Sequence, residues 1–206
     1  MKARIERVVS GDSNAWIVGD DEEVIVVDPG SDAAPVLDAT AGREILAVIC
    51  THGHASHVGA ALDVAARDEA PVALHPKDLL LWREAHGRSD PEIEMEDGGI
   101  FEVSDVALEV IHAPGHSPGS VILYCEDLGA VMSGDVLLAS GPGPHAGDFP
   151  NFSAQLSAIG EQILTLPGQT RVLPGHGEEI VVAAAEKRFD SWVAAGPSPL
   201  TSRDPD

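Results

Sequence analysis

Residues 51–57 read Thr51-His52-Gly53-His54-Ala55-Ser56-His57, with three histidines inside six residues. In an extended chain alternate side chains share a face, so His52 and His54 point the same way and two imidazoles can meet one metal ion. Alone, the cluster decides little. A polar loop also carries histidines for solvent contact, and His57 could simply open the next helix.

Upstream of the cluster, three β-branched runs, IERVV, AWIVG and EVIVVD, read as strands, the last stopped by Asp28-Pro29-Gly30. A short helix over Ala33 to Thr40 follows. The apolar run ILAVIC then delivers the chain into the histidines, which therefore sit at a strand end. Downstream, VGAALDVAAR reads as a helix, PVALH as a strand, KDLLLWREAH as an amphipathic helix and Ser89 to Gly99 as a surface loop.

A second sheet begins with FEV, VALEVIHA, SVILYCE and AVMSGD. The glycine- and proline-rich stretch LLASGPGPHAGDFP forms an irregular loop beside Asp135. A helix over Ser153 to Leu164, a strand RVLP, a turn PGHG and a helix over EEIVVAAAEKRFDSWVAA complete the order. The predicted class is α/β, a four-layer αββα sandwich of two mixed β-sheets flanked by helices. One domain over residues 1–195 is expected, with residues 196–206 a disordered tail.

Acidic residues outnumber basic ones 34 to 12, a net charge of -22. Such a surface repels phosphate backbones and anionic headgroups, so no nucleic-acid or membrane partner is expected. No apolar run has the length of a membrane span and MKARIERVV lacks a signal-peptide core, which predicts a cytoplasmic protein. Cys50 and Cys125 end apolar stretches and form no CxxC pattern, so both read as buried, inert thiols.

Three further segments turn the histidine cluster into a site. Ala113-Pro114-Gly115-His116, Ser133-Gly134-Asp135 and Pro174-Gly175-His176-Gly177 each put one ligand-type residue beside glycine, after an apolar strand. Glycine lets the backbone turn sharply and leaves room for an ion, while the strand fixes where the ligand starts.

In that order, THGHASH, APGHSPGS, MSGDV and PGHG resemble the ligand motifs of the metallo-β-lactamase superfamily, and VVDPG resembles its early strand and turn. The resemblance implies that His52, His54 and His116 hold a first metal, that Asp135 bridges, and that His57 and His176 serve a second. It also implies an aspartate at position 56, completing the second site and assisting proton transfer; this chain has Ser56 instead. The first site is then expected intact and the second poorly occupied, with Asp135, His57 and position 56 the groups nearest proton transfer. Asp28 reads as a turn residue able to brace the histidine loop.

Within the superfamily the motifs look most similar to glyoxalase II-like hydrolases, which implies a zinc-dependent hydrolase cleaving a small-molecule acyl thioester. Iron or manganese are alternative ions. The chain stops soon after PGHG, short of the helical extension with which glyoxalase II holds glutathione, and VICTHGH and HAPGHSPGSV resemble actinobacterial members that use mycothiol. Two alternatives accompany this expectation: an iron oxidoreductase resembling persulfide dioxygenase, using His52, His116 and Asp135, and a catalytically impaired binding protein. Of the other histidines, His75, His86 and His112 read as structural and His145 as a candidate substrate contact.

Overall fold

The computed structural model describes residues 2–144 and 151–197. The proposed substrate contact His145, the end of the glycine- and proline-rich loop, and most of the expected tail lie outside the described residues.

The first sheet runs β1 (Arg4–Ser10), β2 (Ser13–Gly19), β3 (Glu23–Val27), β4 (Glu44–Ile49), β5 (Val72–Leu74) and β6 (Ile93–Glu94), in that spatial order. Its first three strands are antiparallel and β3 to β6 are parallel. The two-residue turn between β1 and β2 needs a positive φ at its first position, which Gly11 supplies at 65°. The second sheet has the order β12-β11-β10-β9-β8-β7, built from β7 (Ile100–Val103), β8 (Val106–His112), β9 (Val121–Cys125), β10 (Ala130–Gly134), β11 (Arg171–Pro174) and β12 (Ile180–Val181). Only the β10–β11 pair is parallel there.

The layers follow from period-two alternation. On β2, Trp16 and Val18 enter the core between the sheets, where they meet Leu108, Leu123 and Met132. Their neighbours Ala15 and Ile17 face the other way, into a core covered by α1 (Ala33–Ala39), α3 (Ala61–Ala66) and α4 (Leu79–His86). On the far side, Ile122, Val131 and Val172 pack under α5 (Phe152–Ala158), its π-helical continuation Ile159–Ile163, and α6 (Val182–Ala195). The expected four-layer α/β sandwich is thus the observed one. Cys50 and Cys125 are buried in different cores, and burial pushes both thiols up, away from reactive thiolate.

Three local expectations differ. The loop 89–99 contains β6, which pairs through Ala73 with Ile93 and Leu74 with Glu94 and is too short to show a period. The final helix starts at Val182, because Ile180 and Val181 first pair with β11. The helix expected from Val58 breaks at Gly59 and Ala60, leaving a single turn, α2 (Ala55–Val58), ahead of α3.

Of the structural histidines, His86 bonds the Val58 carbonyl at 2.8 Å, while His75 and His112 stack with ring centres 4.4 Å apart and an interplanar angle of 4°. Burial first, then the neighbouring His112 and Lys77, depress His75 from 6.5 to about 4. A base whose folded value is depressed stabilises the fold fully above the unfolded value and progressively less as pH falls towards the folded one. The metal-free protein should therefore lose stability between pH 6.5 and 4, and His75→Gln should flatten that part of a denaturation-midpoint profile.

Candidate metal centre

Every residue of the expected site lies in a segment that leaves the end of a strand. β4 runs into Thr51, His52 and His54, and His57 follows on α2; β8 precedes His116, β10 precedes Asp135, and β11 precedes His176. The two sheets thus bring six side chains from four separate segments to one edge of the sandwich. They form two groups whose donor atoms lie within 4.8 Å of one another: His52, His54 and His116, and His57, Asp135 and His176.

The first group has the shape of a cage. The His52, His54 and His116 rings stand almost perpendicular to one another, at 86° to 89°, with centroids 4.8 to 4.9 Å apart. His54 Nδ1 is 3.1 Å from His116 Nε2. Two nitrogens each 2.0–2.1 Å from a tetrahedral ion sit about 3.3 Å apart, so the spacing fits a shared ion as well as an imidazole-to-imidazole hydrogen bond. The orphaned atoms decide between the two. His52 Nε2 and Asp135 Oδ1 are buried with no hydrogen-bond partner among the described residues, a costly arrangement that an ion would relieve.

Ring orientation is set by what the other nitrogen does. Thr51 Oγ1 donates to Asp28 Oδ2 at 2.7 Å, so it is left to accept from His52 Nδ1 at 3.1 Å, which frees Nε2 as a ligand. His57 Nδ1 donates to the same Asp28 oxygen at 3.1 Å, and His176 Nδ1 donates to the Asp12 carbonyl at 2.9 Å. Both therefore present Nε2 inward, 3.1 Å apart. Asp135 Oδ2 faces both groups, 3.3 Å from His57, 3.4 Å from His176 and 3.7 Å from His116.

Electrostatics separate the halves. Burial, then the crowding imidazoles, hold His52 well below its ordinary value, and burial also lowers His54, which keeps both neutral. At His57 burial pulls the same way, but Asp135 and Asp28 prevail and push it up to about 10. His176 is raised by Asp135 against its own burial, and despite burial these histidines hold Asp135 well below the carboxylate range. The second group therefore demands positive charge, which a proton or a metal ion can supply.

Ser56 lies half-buried on α2, and its carbonyl accepts from Ser13 Oγ at 2.8 Å. A hydroxyl adds no negative charge to the His57, Asp135 and His176 group and is a poor ligand beside a carboxylate.

A sequence profile of the metallo-beta-lactamase superfamily matches residues 9–176, a span containing every residue of both groups. The chain belongs to the metallo-beta-lactamase superfamily. Its relatives there include the probable metallo-hydrolase YqgX of Bacillus subtilis, 34% identical over 181 residues that cover 81% of this chain and 86% of that protein. The hydroxyacylglutathione hydrolase GloC of Haemophilus influenzae is 26% identical, covering 94% and 98%. Among solved structures, the BLEG-1 B3 metallo-beta-lactamase superposes with a TM-score of 0.80 at 26% identity, covering 91% of this chain and 97% of that one. TTHA1623 in a di-iron-bound form gives 0.74 at 31%, with 88% and 96% covered. ETHE1 from Myxococcus xanthus gives 0.75 at 25%, with 95% and 85% covered.

For this superfamily member the sequence pointed to the ligand-type residues but not to most of what holds them. The turn carrying His176 is tied to the first sheet by Asn14, whose amide side chain donates to the Pro174 and Gly177 carbonyls at 3.0 and 2.9 Å, and by Trp16 Nε1 to Pro174 at 3.1 Å. Asn14 and Trp16 sit in an ordinary strand pattern, and nothing local marks them. Asp28, expected to brace the loop, also accepts the Thr51 amide at 2.7 Å, with its own backbone at φ 49°. Gly175 is sterically required: a Cβ there would lie 2.3 Å from Asp135 Oδ1 and 2.5 Å from His57 Cε1. Gly175→Ala should leave a folded chain that binds metal at least about 10-fold more weakly, as disturbed supporting contacts do. Equilibrium titration with zinc, with circular dichroism as the folding control, checks this.

Proposed function

We propose that this protein is a metal-dependent thioesterase that cleaves an acyl thioester of a small thiol. The observation that carries the reading is the convergence of the His52, His54 and His116 rings on one point, with the Asp135 carboxylate beside them. The hydroxyacylglutathione hydrolase name borne by the Haemophilus relative supports the choice of a thioester. Zinc is the ion proposed, held by His52, His54 and His116, with a second ion bound weakly by Asp135, His57 and His176.

Zinc held there would lower the pKa of a bound water to about 7 and so supply a nucleophile for the acyl carbon near neutral pH. The chain's own residues orient it. Asp135 stays ionised, and its Oδ2, the oxygen that faces both groups, serves as an acceptor that aims a water rather than as a strong base. His57 keeps its Nδ1 proton on Asp28 and turns Nε2 towards Asp135. Ser56 withholds the negative charge that an aspartate would add, which lowers second-ion occupancy and slows the reaction without abolishing it.

Purified protein loaded with zinc should release thiol from at least one member of a panel of acyl thioesters, and His116→Ala should lower that rate by about 10² or more. Absence of thiol release across the panel, with zinc demonstrably bound, would sink the proposal. Elemental analysis should find close to one ion per chain. Ser56→Asp should raise occupancy towards two and quicken thiol release by about 10-fold or more; an unchanged stoichiometry would mean that Ser56 is not what limits the second ion.

A second reading is iron-dependent sulfur oxidation on His52, His116 and Asp135; its choice of iron is supported by the 31% identity to TTHA1623, solved in a di-iron-bound form. Oxygen consumption by iron-loaded protein without thiol release from thioesters would support it over hydrolysis.

A further inference from the structure

Asp78 stands at the N-cap position of α4, where an aspartate ordinarily accepts from the amides of its own helix, yet its side chain makes no such bond. The carboxylate is spent elsewhere. Oδ2 accepts the Gly53 amide at 2.9 Å and the Ser117 hydroxyl at 2.6 Å, and Oδ1 accepts the Gly119 amide at 2.5 Å. Gly53 lies between His52 and His54, and Ser117 follows His116. One buried carboxylate therefore joins the loop leaving β4 in the first sheet to the loop leaving β8 in the second.

The surroundings are closed tightly on that carboxylate. A Cβ on Gly53 would meet the Asp78 carbonyl at 2.8 Å, and one on Gly119 would meet its carboxylate at 2.7 Å. The Ser117 hydroxyl has a further partner in Ser120 Oγ at 2.7 Å, and that oxygen also accepts the Ser117 amide at 3.0 Å. Asp78 is 0% exposed. Burying a carboxylate is costly unless donors surround it, and a helix that merely needed a cap could keep its aspartate at the surface.

We infer that Asp78 is a positioning residue for the first ion: its three bonds hold the His52–His54 loop and the His116 loop at the separation that lets three imidazoles converge. The inference rests on the reading of His52, His54 and His116 as ligands of one ion. It assigns Asp78 no contact with substrate and no proton to transfer.

The test uses cobalt(II) as the probe, with affinity and visible absorption as readouts and no substrate present. Asp78→Asn keeps the shape but sets an NH2 against a donor on one loop. It should weaken cobalt binding by roughly 10- to 100-fold and alter the ligand-field bands, while circular dichroism stays that of a folded chain. Asp32→Ala serves as the purely structural control, since Asp32 caps α1 through the Ala34 amide at 3.0 Å; it should lower the melting temperature and leave cobalt affinity and spectrum unchanged. A folded Asp78→Asn variant with wild-type affinity and spectrum overturns the inference. Should Asp78→Asn fail to fold, Ser117→Ala decides by the same two readouts. Wild-type protein that binds no cobalt would instead overturn the metal-site reading itself, whatever the variants do.

Discussion

Five imidazoles and a carboxylate crowded together, most of them out of water, are a burden on any fold, and this structure is organised around carrying it. Unpaired polar atoms in an interior cost free energy that a small sandwich has little margin to lose. The cost is met by hydrogen bonds arriving from outside the cluster: Asp28 through Thr51 and His57, the Asp12 carbonyl on His176, and Asp78 on the flanking loops. Each holds one side of a ring or a loop and leaves the inward-facing atoms free. Both hydrophobic cores that meet the first sheet serve the same end, since strands buried on two faces give loops a fixed point of departure.

Much of the architecture was legible because strands buried on two faces read as short, continuous, β-branched apolar runs. AWIVG and EVIVV read as strands for the reason that they are strands, and the four ligand segments stood out because each put a histidine or aspartate beside glycine after such a run. What escaped had no local period. β6 and β12 are two residues each, their existence decided by pairing with β5 and β11 rather than by their own residues.

Within the site the divide is similar. His52, His54, His57, His116, Asp135 and His176 carry chemistry that marks them in one dimension. Asp78 does not: an acidic residue before an amphipathic helix has an ordinary explanation, and its three partners lie 25, 39 and 41 residues away. Asn14 reaches across even more chain, 160 and 163 residues, to hold the His176 turn. Supporting contacts of this kind are created by tertiary folding alone.

The ligand-type residues divide evenly between the layers: His52, His54 and His57 depart from the first sheet, His116, Asp135 and His176 from the second. Each of the two groups draws on both. Neither half of the molecule can therefore assemble a competent site ahead of the other, and an ion seated in either group acts as a rivet across the seam of the sandwich. Anything that binds only the folded chain deepens its stability by mass action. The stability of the folded chain would then rise and fall with the supply of any ion that the two groups hold.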